Sequence, residues 1–140
     1  MLFPKKVLHR KWQSTRMGVA KRNRPESKGL SVAFGSFGLK ALSQARVMSN
    51  QIEAARRALT RAAGKTAKIW IRIFPDRPIT QKGAEVPMGK GKGDPKGYCF
   101  EVRPGRILFE VDGVSEEIAK VSLRKAGCKL PVKWKIITRT

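Results

Sequence analysis

The feature that most limits what this chain can fold into is its excess of positive charge. The sequence carries 31 Lys and Arg against 10 Asp and Glu, a formal net charge of +21 at pH 7. Repulsion at this charge density opposes a compact state, so we expect the charge to serve a polyanionic partner. The phosphate backbone of a nucleic acid matches the charge spacing best, and an anionic membrane surface is the second candidate.

The chain nevertheless has enough apolar residues to bury a core. Hydrophobic residues make up 41% of its 140 residues, which excludes a wholly disordered basic tail and is typical of one domain. The longest run without a charged residue covers residues 29–39, well short of the roughly 18 that a membrane-spanning helix needs. No apolar segment of a secretory signal follows Met1. We therefore expect a cytoplasmic protein that does not cross a membrane.

Residues 1–28 are predicted to be a basic N-terminal arm. They hold nine Lys and Arg residues and one acidic residue, Glu26, and they show no sustained hydrophobic period. Phe3 and Trp12 are interleaved with the cations, and aromatic rings can stack on exposed bases. We expect the arm to become ordered against phosphates, with a solvated, disordered tail as the alternative.

Residues 29–140 are predicted to form a single α+β domain. Alternating apolar residues indicate strands, namely residues 30–39, 68–74, 79–80 and 132–136. Residues 98–111 show the same alternation on both sides of Pro104-Gly105, which predicts a β-hairpin with its turn at these two residues.

Two helices are predicted from capping signals. The first is expected to begin at Ser49 or Asn50, with Glu53 in capping-box position, and to end at Gly64. Its apolar stripe would be Ile52, Ala55, Leu59 and Ala62. The second is expected to follow Ser115, to end at Gly127 and to bury Ile118, Ala119, Ser122 and Ala126. The element order predicts a mostly antiparallel sheet with two helices packed on it, one on each face.

The first predicted helix also carries a cationic ridge opposite its apolar stripe. Arg57 and Arg61 lie four residues apart, Arg56 and Lys65 flank them, and Glu53 is the one acidic residue nearby. Solvated helix faces usually mix both signs of charge. We therefore interpret the ridge as a phosphate-binding face, with an ordinary solvated face as the alternative.

Residues 82–97 are predicted to be a mobile loop because they are rich in glycine and poor in apolar residues. The alternation of glycine and lysine over residues 89–93 removes side-chain bulk, so that backbone amides and ammonium groups can approach phosphates closely. Its spacing does not match a dinucleotide-binding fingerprint. A flexible solvated loop without a partner is the alternative.

The sequence shows no pattern typical of a catalytic or metal site. Cys99 and Cys128 are 29 positions apart and the one histidine is His9, which argues against a zinc site, and we interpret both cysteines as core residues. Residues 64–66 resemble the end of a P-loop, but Leu59 stands where that motif needs glycine. The carboxylates are scattered along the sequence, whereas a catalytic site that uses them needs a cluster of acids. We predict a binding protein without a cofactor. An enzyme that acts on RNA is the least favoured alternative.

Cations on the arm, the first helix, the loop and the last strand suit an irregular RNA surface better than one DNA groove. Six segments then closely resemble, in order and spacing, the bacterial large-subunit ribosomal protein L-sixteen type of the universal uL-sixteen family. They are residues 1–5 (MLxPK), 34–41 (FGSFGLKA), 51–58 (QIEAARRA), 68–76 (KIWIRIFPD), 88–93 (MGKGKG) and 103–110 (RPGRILFE). The resemblance covers nearly the whole chain.

This resemblance implies a structural constituent of the large ribosomal subunit with a hammerhead-like strand arrangement. Such a protein would bind large-subunit rRNA near the peptidyl-transferase centre, help to position tRNA in the A and P sites, and be needed for late subunit assembly. The implied partners are rRNA, these tRNAs and neighbouring ribosomal proteins, with no membrane, small-molecule substrate, cofactor or metal. A transiently bound RNA chaperone or assembly factor is the alternative.

The resemblance also assigns roles to individual residues. The implied rRNA contacts are Lys5, Lys6, Arg10, Lys11, Arg16, Arg56, Arg57, Arg61, Lys65 and Arg72. The implied tRNA-proximal loop contains Lys82, Met88, Gly89, Lys90, Gly91, Lys92 and Gly93. Many bacterial relatives have an arginine just before the MGKGKG run, hydroxylated in some, where this chain has Pro87. We therefore do not carry that modification over, and the proline is expected to stiffen the base of the loop.

Overall fold

Seven strands and two helices form the fold in the computed structural model, which describes residues 1–13 and 24–140. The strands are β1 (Phe37–Ala41), β2 (Ala45–Met48), β3 (Lys68–Ile71), β4 (Arg77–Gln81), β5 (Asp94–Val102), β6 (Ile107–Asp112) and β7 (Trp134–Thr138). The helices are α1 (Ser49–Ala63) and α2 (Glu116–Gly127). Over the described residues, no helix has both the length and the apolar character needed to cross a membrane.

The strands form two antiparallel sheets, not the single sheet that the sequence predicted. The larger sheet has the order β3-β6-β1-β7, and the smaller has the order β2-β5-β4. Helix α1 packs against β2 and β5, helix α2 packs against β1, β6 and β7, and the two helices pack against each other. The predicted α+β class with two helices on antiparallel sheet is confirmed, but each helix covers its own sheet.

The predicted hairpin over residues 98–111 is wrong, although its turn is present. Gly105 has a φ of 100°, and the N–H of Arg106 donates to the carbonyl of Arg103 at 3.3 Å. Beyond this turn the chain changes sheet, since β5 pairs with β2 and β4 whereas β6 pairs with β1 and β3. Residues 107–111 are all buried, on both faces of the strand. A strand buried on both faces lies in the centre of a sheet. Both edges of β6 pair with other strands, β1 on one side and β3 on the other, so β6 has no free edge for β5.

The predicted strand over residues 30–39 forms only in its last third, because β1 begins at Phe37. The residues before it cross the outer face of the larger sheet, by which we mean the face that bears Glu110. Phe109 and Val111 point the opposite way and pack in the core with Leu123 of α2. Glu110 accepts backbone hydrogen bonds from residues 33–35, so these amides are satisfied without a neighbouring strand.

Helix α1 starts close to the predicted position but with a different cap. Met48 occupies the N-cap position, and its N–H donates to the side-chain carbonyl of Gln51 at 2.9 Å. Gln51 thus makes the capping-box contact that we expected from Glu53. Gly64 ends the helix as predicted, with a φ of 86°. The buried stripe ends with Ala63, whereas the sequence predicted Ala62 at this position.

Helix α2 follows Ser115 and ends at Gly127, as predicted. Its buried face differs from the predicted stripe at one position. Ile118 is 45% exposed, and Leu123 is fully buried instead. The stripe is therefore rotated towards Leu123, which packs in the shared core.

The remaining elements differ from the predictions mainly in their bounds. The predicted strand over residues 68–74 stops at Ile71, and β7 lies two residues later than predicted. The short continuation at residues 79–80 is confirmed as part of β4, whereas β2 was not predicted. Cys99 is buried as expected, but Cys128 is exposed, so its assignment to the core is wrong.

Candidate RNA interface

The described part of the chain holds neither a metal-binding cluster nor an activated Cys99. There, no group of three or more His, Cys, Asp or Glu residues could hold a metal ion. Burial raises the pKa of the Cys99 thiol, which keeps it protonated and unsuited to act as a nucleophile at neutral pH.

The N-terminal arm is held along the smaller sheet by its aromatic residues. The ring of Phe3 meets Tyr98 of β5 edge-on, with 6.3 Å between centroids and 66° between planes. The guanidinium of Arg77 on β4 lies 5.9 Å from the ring centroid of Trp12, within the range of a cation–π contact. Leu2 packs against the core. These aromatic rings, expected to stack on bases, thus also attach the arm to the domain.

The arm cations are open to solvent. Lys5, Lys6, Arg10 and Lys11 are all exposed, and none of them forms an ion pair with another described residue. Arg16 lies outside the described residues. Four of the five predicted arm contacts are therefore placed where a phosphate could reach them.

The arm and the glycine-rich loop touch each other. The Lys11 ammonium donates to the carbonyl of Lys92 at 3.2 Å, and the Lys92 ammonium donates in return to the carbonyl of Trp12. Residues 11–13 and Lys92 line a surface cavity of about 310 Å³. Two segments predicted separately are thus one continuous surface, which we call the arm–loop surface (residues 1–13 and 82–93).

The loop itself is shorter than predicted and has a defined backbone. It ends at Gly93, because β5 begins at the next residue and not beyond residue 97. The Lys82 ammonium donates to the carbonyls of Pro87 and Gly89, which joins the start of the loop to its tip. The mobility of the loop stays a prediction.

Three successive residues at the tip have positive φ angles: Gly89 at 98°, Lys90 at 55° and Gly91 at 99°. A Cβ atom at either glycine would meet nothing within 4 Å. Glycine is therefore favoured here by backbone conformation and not by crowding within the chain. The open space leaves the backbone accessible to a partner, and Met88 beside it is 94% exposed.

The ridge on α1 divides into two pairs. Glu53 accepts hydrogen bonds from Arg56 at 2.5 Å and from Arg57 at 3.2 Å. The hydrogen bond from Arg56 is the main reason why the pKa of Glu53 is lowered to about 2. Arg61 and Lys65 are exposed, and neither forms an ion pair with a described residue. These two have the larger capacity for phosphate.

Arg72 lies apart from the other predicted contacts. Its guanidinium pairs with the carboxylate of Glu110, its side chain is only 19% exposed, and it lies 5.0 Å from the ring centroid of Phe34. An arginine engaged in this way stabilises the fold, and it has little capacity left for a phosphate.

Glu110 is the residue that the sequence analysis missed. It is fully buried and accepts the N–H groups of Ala33, Phe34 and Gly35 at 3.1, 2.6 and 2.8 Å. Burial alone would raise its pKa, but these hydrogen bonds and Arg72 outweigh it and hold the pKa of Glu110 below its usual range. A lone acid inside the run Ile-Leu-Phe-Glu-Val was the available signal, since buried carboxylates need partners.

A comparison of the sequence with models of protein families gives a match over almost the whole chain. The model of the family Ribosomal protein L16p/L10e matches residues 4–137, a range that includes the arm from its fourth residue, the loop, both helices and every strand except the last residue of β7. The chain therefore belongs to the ribosomal protein L16p/L10e family, whose members are non-enzymatic structural proteins of the large ribosomal subunit that bind rRNA.

Proposed function

We propose that the arm–loop surface is the part of this protein that reaches tRNA in the A and P sites, near the peptidyl-transferase centre. The observation that carries the proposal is the reciprocal pair of hydrogen bonds between Lys11, Trp12 and Lys92. Because each segment supplies a donor and an acceptor, the arm and the loop act as one unit towards a partner.

The charge of this surface favours a nucleic acid. Residues 1–13 and 82–93 contain seven Lys and Arg residues and a single carboxylate, that of Glu85. Lys90 is exposed at the tip beside open backbone, so a phosphate can approach both the ammonium group and the amides. A shape of this kind suits the irregular backbone of a folded RNA such as tRNA.

The α1 ridge supports a separate task. Arg61 lies on α1, which packs against the smaller sheet, and Lys65 lies in the turn just after this helix, so both bind phosphates from a rigid base. We assign rRNA anchoring to this ridge and to the arm cations, and tRNA contact to the loop tip together with the end of the arm that it touches, residues 11–13. Contacts spread over several elements require rRNA that is already folded, which supports a role late in subunit assembly.

We expect the double change Lys90→Glu and Lys92→Glu to leave incorporation into the large subunit nearly intact and to slow tRNA accommodation. The expected slowing is about tenfold, which corresponds to about 1.4 kcal/mol in the barrier. The reason is that two phosphate-binding charges become repulsive, while Arg61 and Lys65 are unchanged. Accommodation is measured by rapid kinetics with purified ribosomes, and incorporation by sucrose-gradient sedimentation of a tagged protein at moderate and high salt.

The matched control is Lys125→Glu with Lys129→Glu, two exposed lysines at the end of α2 and just after it that form no ion pair with a described residue, for which accommodation should stay normal. Loss of incorporation with normal accommodation in the loop variant would remove the loop from the tRNA site. If the unmodified protein occurs only in immature particles and is stripped by salt, it is a transient assembly factor and not a structural constituent.

A further inference from the structure

An aromatic pair on the outer face of the larger sheet is used neither by the core nor by the arm–loop surface. Phe34 stacks on Trp70 of β3, with 6.1 Å between ring centroids and 19° between planes. Phe34 nevertheless remains 56% exposed. An exposed, ordered aromatic ring on an RNA-binding protein calls for an explanation.

The open side of the ring follows from the strand geometry. Trp70 and Arg72 are two residues apart, so they project from the same side of the extended chain, and both contact Phe34. The Phe34 ring therefore packs on the side chains of Trp70 and Arg72, and the 56% of Phe34 that stays exposed is open to a partner.

The backbone of Phe34 is fixed more firmly than an exposed residue requires. Its own N–H donates to Glu110 at 2.6 Å, and the flanking amides of Ala33 and Gly35 donate to the same carboxylate. A Cβ atom at Gly35 would lie 2.7 Å from the carbonyl oxygen of Val111, so this glycine lets the segment lie flat on β6. The ring is thus held in place before any partner binds, which reduces the entropy that binding costs.

The surroundings favour RNA over an acidic protein. Lys68 is exposed and lies two residues before Trp70, on the same side of β3. Of the two nearby carboxylates, Glu110 pairs with Arg72, and Asp112, which accepts the hydroxyl of Ser36 at 2.6 Å, has the charges of Lys68 and Arg139 close to it. A ring whose neighbouring carboxylates are balanced by cations in this way is suited to a base and its phosphates.

We propose that Phe34 is a stacking platform for one unpaired base of the large-subunit rRNA, with Lys68 beside the phosphate of that nucleotide. The proposal rests on the rRNA-binding role of the family and is independent of the tRNA contact of the loop. It assigns to the 29–36 segment a direct contact with RNA in addition to its packing on β6.

The test uses full-length protein bound to large-subunit rRNA, with Phe34→Ala, Phe34→Leu and Phe34→Tyr compared. Stacking is worth enough per base that the Ala and Leu variants should bind about 5- to 150-fold more weakly, whereas Tyr should bind like the unmodified protein. Base-specific chemical probing of reconstituted subunits should show one base that becomes reactive with Ala and Leu and is protected again with Tyr. Ile118→Ala, an exposed apolar residue on α2, is the control and should change neither readout.

Phe34→Leu separates two roles of Phe34, stacking on a base and shielding Trp70 from solvent. Leucine can still shield Trp70, but it has no aromatic face on which a base could stack. The proposal would be overturned if every base protected by the unmodified protein were also protected by the Phe34→Leu variant. It would also be overturned if subunits with the Ala or Leu variant lost a neighbouring ribosomal protein but showed no change in base reactivity. Thermal melting of the variants is measured alongside. All three keep the backbone N–H groups that bind Glu110, and Phe34→Leu and Phe34→Tyr also keep Trp70 covered, so these two should melt like the unmodified protein, whereas Phe34→Ala loses the contact with Trp70 and Arg72 and should melt somewhat lower. Failure of the unmodified protein to bind rRNA would overturn the rRNA-binding role and this proposal together.

Discussion

Replacing Glu110 with alanine is expected to lower the free energy of unfolding by about 3–5 kcal/mol. The change leaves the guanidinium of Arg72, only 19% exposed, without its carboxylate. It also leaves the N–H groups of residues 33–35 without this acceptor, and the loss is costliest at Gly35, which is buried. Urea unfolding followed by circular dichroism measures the loss.

The control for this prediction is Glu101→Ala. Glu101 also forms two ion pairs, with Arg46 at 3.2 Å and Arg77 at 3.3 Å, but it is partly exposed. Pairs of this kind contribute about 1 kcal/mol or less. Equal losses for Glu101→Ala and Glu110→Ala would show that the buried carboxylate is not the anchor we take it to be.

The same carboxylate predicts the pH dependence of stability. Because the folded-state pKa of Glu110 lies below its ordinary value of 4.5, its stabilisation is complete above that ordinary value and is lost as the pH falls through the lowered folded value. Glu53, with a folded pKa of about 2, acts in the same direction. As the pH falls below about 5, the Glu110→Gln variant should therefore lose less of its free energy of unfolding than the unmodified protein loses.

The affinity of the unmodified protein for large-subunit rRNA is expected to fall by about 10³- to 10⁵-fold between 50 and 200 mM salt. That is the effect of neutralising about six to ten phosphates. Of the ten predicted rRNA contacts, Arg56 and Arg57 share Glu53, and Arg72 pairs with Glu110. The other seven predicted rRNA contacts fall within this range. Filter binding over a salt series gives the slope.

Arg61→Gln with Lys65→Gln should flatten this log–log slope by about 1.4 to 1.8, since each phosphate contact contributes roughly 0.7 to 0.9. Lys125→Gln with Lys129→Gln, at the end of α2 and just after it, removes the same charge from a surface outside the predicted contacts, and the slope for this variant should not change. An equal flattening by both pairs would mean that the chain binds RNA through its net charge and not through the ridge.

Local patterns predicted the helices and the positions of most strands, because periodicity and capping act over a few residues. Ser115 and Gly127 bound α2, and Gly64 ends α1, as those patterns indicated. The pairing of strands was harder to predict. The run over residues 98–111 has the alternation of a hairpin, but β6 is buried on both faces and takes its partners from β1 and β3.

The candidate site shows the same division between local and distant information. The cations of the ridge and the loop could be read from their spacing, whereas the contact between Lys11 and Lys92 joins residues 81 positions apart. The role of Arg72 could not be assigned without Glu110, which lies 38 positions away. Sequence spacing alone cannot separate an arginine that faces a phosphate from one that neutralises a buried acid.

The arm–loop surface is tested most directly by tethered cleavage from two of its positions. Cys128→Ser removes the exposed thiol and Cys99 is buried, so Gln13→Cys and Lys90→Cys can each carry an iron chelate in an otherwise unlabelled protein. In ribosomes with tRNA in the A and P sites, the account predicts that both probes cut the same region of tRNA. Cleavage of rRNA alone from both positions, or of tRNA from only one of them, would contradict a single tRNA-facing surface.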